Sequence, residues 1–109
     1  MEFLKPLPNK ITIYSKSGCT NCLKVKTLLK ESNVSFTVID CDEFILEDKT
    51  GFLQFIHLLV GHEYNTFPMV FLDKTFIGGF KHTEDYLIQL QQKNKEKEFN
   101  LDLEFNTNF

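Results

Sequence analysis

Cys19-Thr20-Asn21-Cys22 places two thiols one helical turn apart, directly after a turn-forming stretch Ser15-Lys16-Ser17-Gly18. Such a pair serves two chemistries, reversible disulfide exchange or one half of a zinc site. Position favours exchange. A helix N-terminus carries unpaired N–H groups and about half a positive charge, so a thiolate there is stabilised and its pKa falls below the free value of roughly 8.5. Cys19, at the start, is the expected nucleophile. Cys22, one turn further in and nearer the core, can attack a mixed disulfide formed on Cys19 and so resolves it. Lys16, three residues before Cys19, adds a positive charge that favours thiolate over thiol; its other reading is a solvated loop charge. For zinc, Cys41 with His57, His62 or His82 would have to complete the set, but the chain has no second C-x-x-C, so no metal is expected. Cys41, alone just past a strand, is expected to be a small core residue.

The elements that must hold this pair follow from hydrophobic period. Ile11-Thr12-Ile13-Tyr14 alternates as a short strand; from Cys22, Val25, Leu28 and Leu29 recur at helical spacing as far as Ser32-Asn33; Phe36-Thr37-Val38-Ile39 is a second strand. Strand, helix and strand within about thirty residues predict parallel strands with a right-handed crossover. Phe52, Phe55, Ile56 and Leu59 predict a helix from about Lys49 to Val60, stopped by Gly61. Met69–Leu72 and Thr75–Ile77 flank Asp73-Lys74 as a tight hairpin, and Thr83 followed by Glu84 and Asp85 predicts the start of a last helix with Tyr86, Leu87 and Leu90 as its buried stripe.

Two further motifs sit at element ends. Thr66-Phe67-Pro68 precedes the third strand, where proline is a plain turn device or, with a cis bond, brings the Phe67 backbone towards the cysteines as a partner for an extended peptide or thiol substrate. Gly78-Gly79 is a plain turn or a place where a ligand approaches the backbone closely.

Composition bounds the rest. The chain has 109 residues, 42% of them hydrophobic, with fifteen aromatic side chains, twelve of which are Phe, so one hydrophobic core is expected in a single domain over 1–109. The core spans about 10–92. The tail 98–109 alternates Leu101, Leu103 and Phe105 with acids and Asn, leaving an added strand, a docked peptide or disorder open. Three cysteines and no continuous apolar leader predict a cytoplasmic protein. A formal charge of −3 with scattered Lys gives no basic face for nucleic acid or an anionic membrane, and every base is Lys, so an anionic ligand must be met by point charges and backbone N–H groups.

The order of elements together with Cys19-Thr20-Asn21-Cys22, Thr66-Phe67-Pro68 and Gly78-Gly79 resembles the glutaredoxin family, over about Lys10 to Gln92. The resemblance implies an α/β thioredoxin-like three-layer fold: a central four-stranded mixed sheet, order 2-1-3-4, with the first and third helices on one face and the second on the other. It further implies a monomeric thiol–disulfide oxidoreductase with glutathione as co-substrate. Cys19 would attack and Cys22 resolve, Phe67 would pair its backbone with the cysteinyl part of glutathione, and Lys16 would face one carboxylate. Thr66, Pro68, Gly78, Gly79 and Phe80 would complete the glutathione site. Its partners would be disulfide-bearing proteins, with ribonucleotide reductase as a candidate. Thr20-Asn21 stands where the family commonly carries Pro-Tyr, and Phe80-Lys81-His82 lacks the acid-bearing turn that caps the γ-glutamyl group. Two alternatives stay open: a redoxin fed by thioredoxin reductase that supplies ribonucleotide reductase, and a non-enzymatic carrier of an iron–sulfur cluster.

Overall fold

The computed structural model describes residues 2–90. Its sheet runs β2-β1-β3-β4, with β1 Ile11–Ser15, β2 Phe36–Asp40, β3 Met69–Leu72 and β4 Thr75–Gly78. β1 pairs parallel with β2 (Ile13↔Val38) and antiparallel with β3 (Ile13↔Val70), and β3 pairs antiparallel with β4. A parallel pair needs a crossover, which α1, Thr20–Glu31, supplies. Every residue of β1 is buried, as befits a central strand covered on both faces.

The alternation of β1 sorts the interior into two cores. Ile11 and Ile13 pack with Val25 and Leu29 of α1, Val70, and Leu87 from a third helix whose described part is 80–90. Tyr14 points the other way, into Cys41, Phe52, Ile56, Met69 and Phe71. Phe52 and Ile56 belong to α2, Asp42–Val60, so α1 and the third helix cover one face and α2 the other. The expected three-layer arrangement and sheet order are therefore present.

α1 begins at Thr20 with Cys19 as its cap, in keeping with a cysteine expected at the helix start. Element ends differ from expectation in two places. α2 begins at Asp42 rather than Lys49, but departs from helical geometry at Asp48 (φ −154°, ψ 69°), whose Oδ1 accepts the Gly51 N–H at 3.0 Å. Asp48 thus caps the second half, and the Phe52–Leu59 periodicity locates only that half. Gly61 ends the helix in the left-handed conformation, φ 92°, as its sequence position suggests. The third helix starts at 80, not 83: Thr83 is buried and its hydroxyl donates back to Gly79 O at 2.8 Å, one turn inside the helix. Leu90 is exposed, not part of the buried stripe. The 98–109 tail lies outside the described residues.

Candidate active site

β1 delivers the chain to the site. After Ser15, Gly18 takes a positive φ of 71° and the chain enters α1 at Cys19, which is extended (φ −105°, ψ 106°) as an N-cap must be. Its Sγ accepts the Cys22 N–H at 3.1 Å, so the sulfur occupies the acceptor position that Ser or Asp fills in most helices. No acidic residue lies in the first turn of α1 to oppose a negative sulfur. Cys19 is half-buried and Cys22 only 1% exposed, with the two joined as a disulfide across a Cα–Cα distance of 5.2 Å. Access therefore belongs to Cys19.

A cleft of about 420 Å³ opens at this disulfide, flanked by Lys16 and Lys26. Lys16 also holds its Nζ 5.4 Å from the centroid of the Phe67 ring, a cation–π contact that turns it from the loop back across the site. Phe67 is 8% exposed and lies parallel to Phe52, centroids 6.1 Å apart at 6°. The Phe67–Pro68 bond is cis, and Pro68 is fully buried. The β1–β3 ladder ends at Tyr14↔Met69, so the Phe67 backbone lies two residues beyond the last paired position. Thr66 is exposed beside it.

Gly79 comes close to this loop, while Gly78 faces the third helix. Gly78 has φ +133°, and a Cβ there would fall 2.7 Å from His82 Cβ; a Cβ on Gly79 would stand 3.7 Å from Pro68 O and 3.2 Å from the Tyr64 hydroxyl. Phe80 opens the third helix with Lys24 Nζ 5.8 Å from its ring centroid. Lys81 pairs with Glu84 (3.1 Å) and Asp85 (3.7 Å) and is held by its own helix.

Three features escaped the sequence reading. Asp42, at the start of α2, takes the Ser17 N–H on Oδ1 at 2.8 Å and the Ser17 hydroxyl on Oδ2, anchoring the turn two residues before Cys19. Those Ser17 bonds, helped by the Lys16 charge, hold the Asp42 carboxyl below its ordinary pKa. Lys49 shares a second cleft with Lys16, Ile45, Leu53, Asn65 and Phe67, which brings a cation from α2 to a cleft that Lys16 lines. Asn65 is in turn bonded to His57, Nε2 to Oδ1 at 2.8 Å. Lys26 reaches the first cleft from one turn past Cys22. An i+4 count from Cys22 points to Lys26; nothing in the sequence places the α2 residues beside the β1 turn.

Cys41 is fully buried, with its Sγ 3.4 Å from Ile39 O. Among the described residues no three His, Cys, Asp or Glu side chains gather in a way that would hold a metal ion. Likewise, among the described residues, no helix is long and apolar enough to cross a membrane.

Comparison with known proteins converges on one family. The family model described as Glutaredoxin matches residues 11–77. Glutaredoxin 1 of Rickettsia typhi is 31% identical over 99 residues, covering 84% of this chain and 90% of that protein. The mitochondrial glutaredoxin-2 of Bos taurus is 35% identical over 75 residues, 69% of this chain but 45% of that protein, so this chain spans about half of that relative's length. The crystal structure of glutaredoxin 1 from Francisella tularensis, complexed with cacodylate, matches with a TM-score of 0.66 at 25% identity, over 76% of this chain and 96% of that one. With its C-x-x-C at the cap of α1, in a sheet of order β2-β1-β3-β4, this chain belongs to the glutaredoxin family of thiol–disulfide oxidoreductases.

Proposed function

We propose that the chain is a dithiol exchange enzyme that reduces protein disulfides and mixed disulfides of glutathione. The observation that carries this reading is the Cys19 sulfur seated as the acceptor of the α1 cap and bonded to a buried Cys22. In the reduced protein the same N–H groups would face a thiolate. That thiolate attacks one sulfur of the substrate disulfide, forming a mixed disulfide on Cys19 and expelling the other sulfur as thiolate. Cys22 then loses its proton and attacks Cys19 Sγ; the second substrate sulfur leaves, and the Cys19–Cys22 disulfide forms. Two glutathione molecules return the pair to dithiol, each giving up one electron and one proton to become a single glutathione disulfide.

Glutathione is read into the site from what surrounds Cys19. The Phe67 backbone, beyond the end of the ladder, offers its N–H and C=O to the cysteinyl part of the tripeptide, in the manner of an added strand. Lys16 and Lys49, which both line the cleft at Phe67, suit one carboxylate; the backbone of Gly79 and Phe80 at the start of the third helix suits the other. Thr66, Pro68 and Gly78 shape this wall. Exchange of this kind needs a pool of reduced thiol, which the reading places in the cytoplasm.

The test is a pair of serine variants assayed with glutathione and glutathione reductase. Cys19→Ser should abolish all turnover. Cys22→Ser should keep turnover of glutathione mixed disulfides, which glutathione itself can resolve, while losing most turnover of protein disulfides. Equal loss in both variants on the glutathione substrate would overturn the assignment of roles. Running wild type with thioredoxin reductase in place of glutathione identifies the electron donor.

A further inference from the structure

The cleft at Cys19 has an unbalanced charge. Lys16 and Lys26 line it and no carboxylate does. Asp40 lines a smaller adjoining cleft together with the same two lysines, where its Oδ1 takes the Asp42 N–H at 3.0 Å, and Asp42 is held by Ser17. Among the described residues the ion pairs are those of Lys81, so neither Lys16 nor Lys26 belongs to one.

A second feature joins this cleft without a break. Thr20 and Leu23 line both it and an apolar groove that runs along α1 past Leu28, with Phe80 and Lys24 on its border. Leu23 is 64% exposed although it directly follows the buried Cys22. The distances suit a chain passing through both. Leu23 lies one turn from Cys19 and Thr27 two turns, about 6 and 12 Å along the helix. An extended polypeptide covers about 3.3 Å per residue, so a side chain two or three positions from a half-cystine held at Cys19 falls on the Leu23 part of the groove.

Resting on the exchange activity proposed above, the geometry points to a docking surface for one kind of partner. That partner is an extended protein segment whose half-cystine is flanked by an acidic residue and followed, two or three positions on, by an apolar one. The acid meets Lys16 and Lys26, and the apolar side chain covers Leu23 and Phe80. The reducing step is unchanged, and the surface decides which disulfides reach it.

Four peptides test this, each joined through its cysteine to a chromogenic aromatic thiol whose release is followed by absorbance. They carry Glu or Lys beside the cysteine, and Leu or Ser three positions on. With wild-type protein at low salt, the Glu–Leu peptide should show kcat/KM about tenfold above its Lys–Leu counterpart, and high salt should shrink that ratio. Lys26→Glu should erase or invert the ratio. Leu23→Ser should remove the advantage of Leu over Ser. Because each comparison is a ratio between peptides on the same protein, a general change in Cys19 reactivity cancels. Equal rates for the four peptides, or a preference that survives Lys26→Glu, would overturn the docking surface alone. No turnover of the small disulfide by wild type would instead overturn the exchange reading on which it rests.

Discussion

Three cysteines occupy two opposite environments, and this sets what each sulfur can do. Cys19 caps a helix and borders a cleft with two lysines; Cys41 is sunk between β2 and α2, where burial foremost, with Asp40 and Asp42 adding, pushes its thiol up from an ordinary 9.0 to about 12 against an opposing backbone hydrogen bond. In the reduced native protein an alkylating reagent at neutral pH should therefore modify Cys19 and leave Cys41 untouched until the chain is unfolded, as peptide mapping would read. Because folding raises this pKa, the folded state is favoured in full below pH 9.0 and loses that advantage as pH climbs towards 12. Cys41→Ala should flatten part of the alkaline fall in stability and leave exchange rates alone. The residue should be the Tyr14 hydroxyl, also pushed up by burial. Lys16 acts in the other direction. Lys16→Gln should raise the Cys19 pKa by a fraction of a unit up to about one, read from thiolate absorbance against pH, since an exposed charge near a helix end is worth about 0.3–1 kcal/mol. An unmoved curve would leave Lys16 a partner of the Phe67 ring only.

At the scale of elements, aspartates decide where chain segments begin. Asp48 splits α2 and Asp42 ties its first turn to the loop of Ser17. The Asp42 carboxyl is held below its ordinary 3.8, so the tie is complete above that pH and is lost as pH falls through the lowered value. Hydrogen exchange should find the Ser17 amide protected at neutral pH in wild type and open in Asp42→Ala, with Cys19 turnover falling alongside; Asp42→Asn, which keeps an oxygen acceptor, should restore part of both. Periodicity in the sequence located the four strands, α1 and the second half of α2, since Ile13, Val25, Leu29, Phe52 and Ile56 face cores that repeat at the period of their elements. It could not separate Asp42 and Asp48 from ordinary surface acids, because a cap is defined by the N–H it meets. Thr83 misled for the same reason: followed by acids it looks like a cap, yet Gly79 is the residue that precedes the first turn. Of the site, Cys19, Cys22, Lys16 and the Phe67-Pro68 loop were legible from their spacing. Lys49 was not, because only the crossing of α2 over the sheet carries it to the β1 turn.

The whole molecule is closed by its N-terminal segment. Phe3 meets Phe44 and Phe52 edge-on, centroids 5.4 and 5.6 Å apart, and lies 5.5 Å from Phe55. Leu4 O accepts the Tyr14 hydroxyl at 2.6 Å, and Leu7 N–H donates to Thr12 Oγ1 at 3.0 Å. Removing residues 2–9 would leave that hydroxyl without its acceptor, about 1–3 kcal/mol, and strip aromatic pairs worth about 0.5–1.5 kcal/mol each. A thermal melt should fall by at least about ten degrees, with Phe3→Ala accounting for the larger share. The same aromatic series continues from Phe3 through Phe52 to Phe67 and ends under the Lys16 ammonium. One wall of the cleft is thus a rigid ring set on another, and the backbone it carries is in place before any visitor arrives. Calorimetry of a thiol peptide binding there should show a heat-capacity change matching only the surface covered, without the excess that marks a wall ordering itself around its guest.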